Sequence, residues 1–169
     1  MRRGMMFFVL LTVMFVNNLL AAPPISLQVT QSKTSTKVKN RWGDNDNVQA
    51  QQLRVNLRNL SRDPEEITLQ WLFIARSQQD KKLWTYSYDG LTVLLNSGQS
   101  TNVIATSEKL VAKSYDMYFG AHSSPAGYVV VAFRGKDIFK CVASTQPLQV
   151  KCSKWEGFEE MLNATPPEQ

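Results

Sequence analysis

The sequence predicts an all-β chain, a single antiparallel β-sandwich of about seven to nine strands with a short C-terminal helix or tail, from period-two alternation, frequent turn formers and chain length. In residues 51–58, Leu53, Val55 and Leu57 alternate with Arg54, Asn56 and Arg58, as one buried and one wet strand face require. Residues 59–64 then supply turn formers, and Pro64 lacks the N–H that a central ladder needs. Of 169 residues, roughly 147 remain after a 22-residue leader, enough for one domain with its own core.

The leader is read from Arg2 and Arg3, the apolar run from Met5 to Val16, and Leu19-Leu20-Ala21-Ala22, the pattern of an export signal. Its cleavage point stays open, because a cut after Ala22 leaves Pro23 at the new terminus and a cut after Ala21 leaves Leu19 where a small residue is preferred. The alternative is a retained anchor. Against it, Asn17 and Asn18 interrupt the run before the roughly 20 apolar residues of a spanning helix. The expected organisation is a signal peptide at 1–22, a sandwich domain at 23–150 and a tail at 151–169.

Residues 25–30 form the first expected strand, and 31–40, rich in Ser, Thr and Lys, extend it or form an edge or loop. Residues 42–47 are turn-like. After the strand at 51–58 and its turn, Ile67, Leu69, Trp71 and Phe73 make one face of the next strand. Its other face, Thr68, Gln70, Leu72 and Ile74, becomes apolar towards the end, which predicts a central strand covered on both sides there. A strand at 83–88, a tight turn at Asp89-Gly90 and a strand at 91–95 follow, with Ser97-Gly98 breaking the chain before another strand at 100–108.

Alternation of Tyr115, Met117 and Phe119 suggests a short strand at 114–119, and 120–127 reads as a loop. The last hairpin joins 128–133 to 138–143 through Gly135-Lys136. Its expected register sets Phe133 opposite Ile138, Val130 opposite Cys141 and Arg134 beside Asp137. In the tail, Trp155, Phe158, Met161 and Leu162 are spaced for one short amphipathic helix, and Pro166-Pro167 ends any structure.

Residues 53–61, a turn, and 67–74 together resemble the second and third strands of immunoglobulin-like or fibronectin type III-like domains of exported bacterial proteins of uncharacterised role. The resemblance covers roughly residues 25–150 and rests on Trp71 and on alternation, while the cysteine pair that brackets the tryptophan of antibody domains is missing. It implies a fold and no ligand.

Composition excludes more than it selects. The chain carries 19 basic and 14 acidic residues, a formal +5 that falls to +3 when Arg2 and Arg3 leave with the signal. Basic residues are interspersed with acidic ones, so no nucleic-acid partner is expected. With two cysteines and one histidine, neither a metal site nor a cofactor is expected. Cys141 and Cys152, in a chain read as exported, either form one disulfide or remain a buried thiol and a tail thiol.

Candidate chemistry is sparse. His122 beside Ser123 and Ser124 lacks any nucleophile-elbow pattern and reads as a polar loop. Glu65-Glu66, Asp116 and Glu159-Glu160 could be weighed as paired carboxylates, but adjacent strand carboxylates point to opposite faces and suit solvated edges. Asp44 and Asp46 offer hard oxygens without the remaining ligands of a calcium loop, and read as an Asx turn. Asn59-Leu60-Ser61 and Asn163-Ala164-Thr165 match the glycosylation tripeptide, which is common by chance and would normally mean nothing in the bacterial source that the resemblance implies.

Trp84, Tyr86 and Tyr88 alternate with Leu83, Thr85 and Ser87, which places three rings on one strand face: a core row, or a stacking platform for sugars or a protein partner. The expectation is a packed row. The sequence reading is therefore an exported, non-catalytic module with a structural or protein-interaction role at the cell envelope or outside the cell. A protein is the expected partner, a carbohydrate bound through Trp84, Tyr86 and Tyr88 is the alternative, and a membrane enters only if the leader is retained.

Overall fold

The alternating segment around Val55 becomes the spine of the first of two sheets. The computed structural model describes residues 25–114, 117 and 122–164. Its strands are β1 (Ile25–Lys39), β2 (Asn45–Asn59), β3 (Glu65–Ser77), β4 (Leu83–Leu95), β5 (Ser100–Thr106), β6 (Leu110–Ala112), β7 (Ser123–Arg134) and β8 (Asp137–Ala143). Two helices follow, α1 (Gln146–Cys152) and α2 (Trp155–Leu162). One sheet has the order β1-β2-β5, with β6 on the same edge of β2 as β5; the other has the order β4-β3-β7-β8. All pairings are antiparallel.

The sheets face each other across a core built from alternate residues. Leu53, Val55 and Leu57 of β2 meet Ile67, Leu69, Trp71 and Phe73 of β3, with Tyr128, Val130 and Ala132 of β7 beside them. Leu53, Val55, Leu57, Ile67, Leu69, Trp71, Val129, Val131 and Phe133 are all buried. The last three lie on the opposite face of β7 and pack beneath the helices with Leu72 and Ile74. β3 and β7 are thus the central strands, apolar on both faces where both are covered.

Residues 31–39 do extend the first strand, as one of the expected alternatives had it, and several other local expectations are corrected. β1 continues to Lys39, paired along its whole length with β2, and its distal half projects as an exposed arm. Residues 83–95 are one strand with no turn at Asp89-Gly90, because β3 offers partners throughout: Asp89 lies opposite Trp71 and Gly90 opposite Gln70. Tertiary pairing overrides the local turn signal. The loop reading of 120–127 fails from Ser123 onward, where β7 begins. The strand expected at 114–119 falls mostly outside the described residues, and the two described there, Ser114 and Met117, have helical backbone.

In the last hairpin Phe133 faces Ile138 and Arg134 faces Asp137, around Gly135 at φ +60. A bulge at Phe139 then shifts the register, so Cys141 lies opposite Val131 rather than Val130. The tail holds two helices where one was expected. The first, α1, carries Pro147 in its opening turn, a position where the missing N–H costs nothing. A disulfide joins Cys141 of β8 to Cys152 at the end of α1. The Gln149 carboxamide adds a second tie, accepting from the Ala143 N–H at 2.8 Å and donating to the Cys141 carbonyl at 2.6 Å. Gly157 of α2 sits so close to α1 that a Cβ there would lie 2.2 Å from the Lys151 carbonyl oxygen.

Candidate functional site

Along the outer face of β3 the side chains change from Thr68 and Gln70 to Leu72 and Ile74, and the helices respect that change. Leu72 and Ile74 are buried under Leu148, Phe158 and Met161, whereas Thr68 and Gln70 stay half-exposed beyond the edge of α2. Two adjoining hollows of about 380 and 440 Å³ share Thr68 and Gln70 as floor. The first reaches Tyr88, Gly90 and Leu162, and the second reaches Phe133, Lys136 and Trp155.

The helix α2 walls this groove with Trp155, Phe158 and Leu162, residues three and four apart that share one helix face. Trp155 is 48% exposed yet held in place, edge-on to Phe133 with centroids 6.0 Å apart and tilted against Phe158 at 6.0 Å. Tyr88, 67% exposed, borders the other hollow. Opposite Gln70 stands Gly90, whose lack of a side chain keeps that part of the floor bare. The Thr68 and Thr92 hydroxyls pair across the strands at 3.0 Å. The Gln70 carboxamide has no hydrogen-bond partner among the described residues, so its donor and acceptor both remain available.

The aromatic strand is not the single row that alternation predicts. Tyr86 is a bulge residue, for Phe73 faces Ser87 while Ile74 faces Thr85, and the extra residue reverses the phase of the strand. Trp84 and Tyr86 are half-buried, their rings edge-on at 6.2 Å, and Tyr86 packs against the inter-sheet core. The Trp84 indole N–H donates to the Ser123 hydroxyl at 3.3 Å. Gln51 Nε2 donates to the Tyr86 hydroxyl at 2.9 Å, and Gln31 Nε2 in turn donates to Gln51 Oε1. Burial pushes the Tyr86 phenol above its ordinary pKa. Tyr88, opposite Leu72, points to the outer face instead, which corrects the expectation that all three rings pack together.

No family model and no curated protein matches the chain. Among solved structures it is similar to a protein named as a beta-galactosidase from Bacteroides fragilis, at 13% identity and TM-score 0.42 over 70% of this chain and 15% of that one. It is also similar to a beta-glucuronidase from glycoside hydrolase family 2, at 12% identity and TM-score 0.39 over 68% of this chain and 10% of that one. A third similarity, at 10% identity and TM-score 0.35, is to a protein from Akkermansia muciniphila, over 74% of this chain and 73% of that one. The chain spans only about a seventh of the first of these proteins, and likenesses of this size transfer no activity.

Several of the remaining candidates are bonded to neighbouring elements. The Ser123 hydroxyl accepts from Trp84 and the Ser124 hydroxyl accepts from Gln78 Nε2 at 2.7 Å, while His122 Nδ1 is buried with no hydrogen-bond partner among the described residues. Glu65 pairs with Arg134 at 3.0 Å and Glu160 with Lys151 at 2.7 Å, while Asp116 lies outside the described residues. Asp46 Oδ1 accepts from the Ser114 N–H and from Asn40 Nδ2, and Asn40 Oδ1 accepts from the N–H groups of Trp42 and Asp44. These oxygens fasten the tip of the β1–β2 arm. Asn59 is fully buried, its amide donating to the carbonyls of Asp63 and Leu95, which closes the turn after β2. Among the described residues no helix is long and apolar enough to cross a membrane.

Sequence reasoning did not bring Thr68, Gln70, Thr92 and Trp155 together as a site. One signal was present: the polar start and apolar end of a single strand face mark where a covering layer stops. What occupies that layer depends on α1, which has no strong sequence pattern of its own.

Proposed function

We propose that the chain is an exported, non-catalytic β-sandwich module with a structural or interaction role at the cell envelope or outside the cell. It works by holding a partner against the outer face of the β4-β3-β7-β8 sheet. The observation that carries this reading is the half-covered face, where two helices bury Leu72 and Ile74 and leave an open groove over Thr68 and Gln70. Open hollows lined by aromatic rings and a few polar groups are the kind of surface at which ligands and partners bind. The bridge between Cys141 and Cys152 supports export, because such bonds persist in oxidising compartments.

The sheet order supports the finer fold reading. Strands one, two and five facing four, three, seven and eight follow the arrangement of immunoglobulin-like sandwiches. Residues 1–22 are then the leader, 23–150 the sandwich and 151–169 the tail. The carbohydrate alternative in its original form, a platform of Trp84, Tyr86 and Tyr88, has only Tyr88 on display. The test places a photo-crosslinking residue at Thr92 in the groove or at Gln28 on the outer face of the other sheet, in the chain expressed in its native cell. Recovery outside the cytoplasm without residues 1–22, with adducts from Thr92 and not from Gln28, is the expected result. A cytoplasmic chain that crosslinks equally from both sites overturns the reading.

A further inference from the structure

Groove chemistry narrows the partner further. The floor is neutral, its hydroxyls and the Gln70 carboxamide able to donate and accept, and two part-exposed rings border it, Tyr88 at one end and Trp155 at the other. Of the charged residues, Asp89 lines one hollow and Lys136 the other, so neither hollow gathers charge. Sugars present this complement: hydroxyls that give and take hydrogen bonds, and C–H faces that lie on aromatic rings. An acidic or basic ligand would find no concentrated counter-charge.

We infer that the groove between Tyr88 and Trp155 binds a neutral oligosaccharide, with Tyr88 and Trp155 stacking on sugar rings and the Gln70 carboxamide bonding to hydroxyls between them. The inference rests on the reading of this face as the working surface. Two adjoining hollows on one floor suit a run of linked sugar units over a single ring. Both hollows fall in the range of roughly 300–1,000 Å³ occupied by small-ligand sites, where a few placed polar groups fix orientation among aromatic walls. Pre-ordering favours this as well. Trp155 packs against Phe133 and Phe158, which limits the freedom its ring has to lose when a ligand binds.

The test titrates the full exported chain, bridge intact, with cellohexaose, laminarihexaose, mannohexaose and maltohexaose, and follows the Gln70 side-chain amide and the Trp155 indole by heteronuclear NMR. One of the four is expected to shift both signals saturably, with affinity falling about tenfold or more in Tyr88→Ala and in Gln70→Leu. Tyr88→Ala removes an exposed ring that the fold does not need, and Trp42→Ala, at the tip of the distant arm and 76% exposed, should bind as the parent does. Four sugars that leave both signals unmoved, or a groove variant that binds unchanged, overturn the inference. If Thr92 nevertheless crosslinks selectively to an envelope protein, the glycan falls and the working surface stands; if neither happens, both fall.

Discussion

The two faces of the β4-β3-β7-β8 sheet are held down by different means. On the inner face, Ile67, Leu69, Trp71 and Phe73 meet a second sheet whose members are registered over long ladders, seven residue pairs in the case of β2 with β5. On the outer face, Leu72, Ile74, Val129, Val131 and Phe133 are covered by helices of 7 and 8 residues. Helices that short do not persist alone in water, where about 12–15 residues are marginal. They depend on the apolar surface beneath them, on the Cys141–Cys152 bond and on the Gln149 clamp. One sheet thus carries a stiff side and a tethered side, and the groove lies on the tethered one.

The largest effect is expected from the stiff side. Trp71→Ala, a truncation in the inter-sheet core, should lower stability by roughly 3–5 kcal/mol through lost burial and a residual cavity. A denaturant melt within about 1 kcal/mol of the parent would show that the inner face is not the foundation it is taken to be.

Removing the tether comes next. With both Cys141 and Cys152 replaced by Ala, the loss of the covalent loop should cost roughly 2–4 kcal/mol. Hydrogen exchange should show amides of α1 and α2 losing protection while those of β2 and β3 keep theirs. Uniform loss across all four elements would erase the distinction between the two sides.

The smallest effect sharpens the inner face at its polar margin. Tyr86→Phe removes the bond from Gln51 and should cost about 1 kcal/mol at neutral pH. Because burial raises the Tyr86 phenol above its ordinary value near 10, the neutral form is favoured in the folded state. Its contribution is complete below that ordinary value and fades as pH rises through the raised one, so the gap between parent and variant should close in alkaline melts. Tyr128, also raised by burial, leaves a residual alkaline slope in both proteins. A gap that stays constant beyond pH 10 would contradict the burial of the Tyr86 hydroxyl.

The stiff side was the legible one. Leu53, Val55 and Leu57 announce a strand because period-two burial leaves a direct mark in the residues, and the change from Gln70 to Leu72 announces a second covered face. What escaped was whatever depends on pairing between distant segments. The bulges at Tyr86 and Phe139 reverse the facing of every residue beyond them, and nothing local to either residue marks the extra position. Asp89-Gly90 carries a turn signal that a long partner strand overrules. The groove was hidden for the same reason, since Gln70 and Trp155 are brought together only by the packing of a helix across a sheet.

Gly157 sets how wide that groove can be. Since a single carbon added there would collide with the Lys151 carbonyl, α2 rests on α1 backbone to backbone, and the corner between them has no slack. Alanine at this position would lever the second helix away from the first, carrying Trp155 and Phe158 with it. The width of the groove over Thr68 and Gln70 is thereby set by a residue that lines neither hollow.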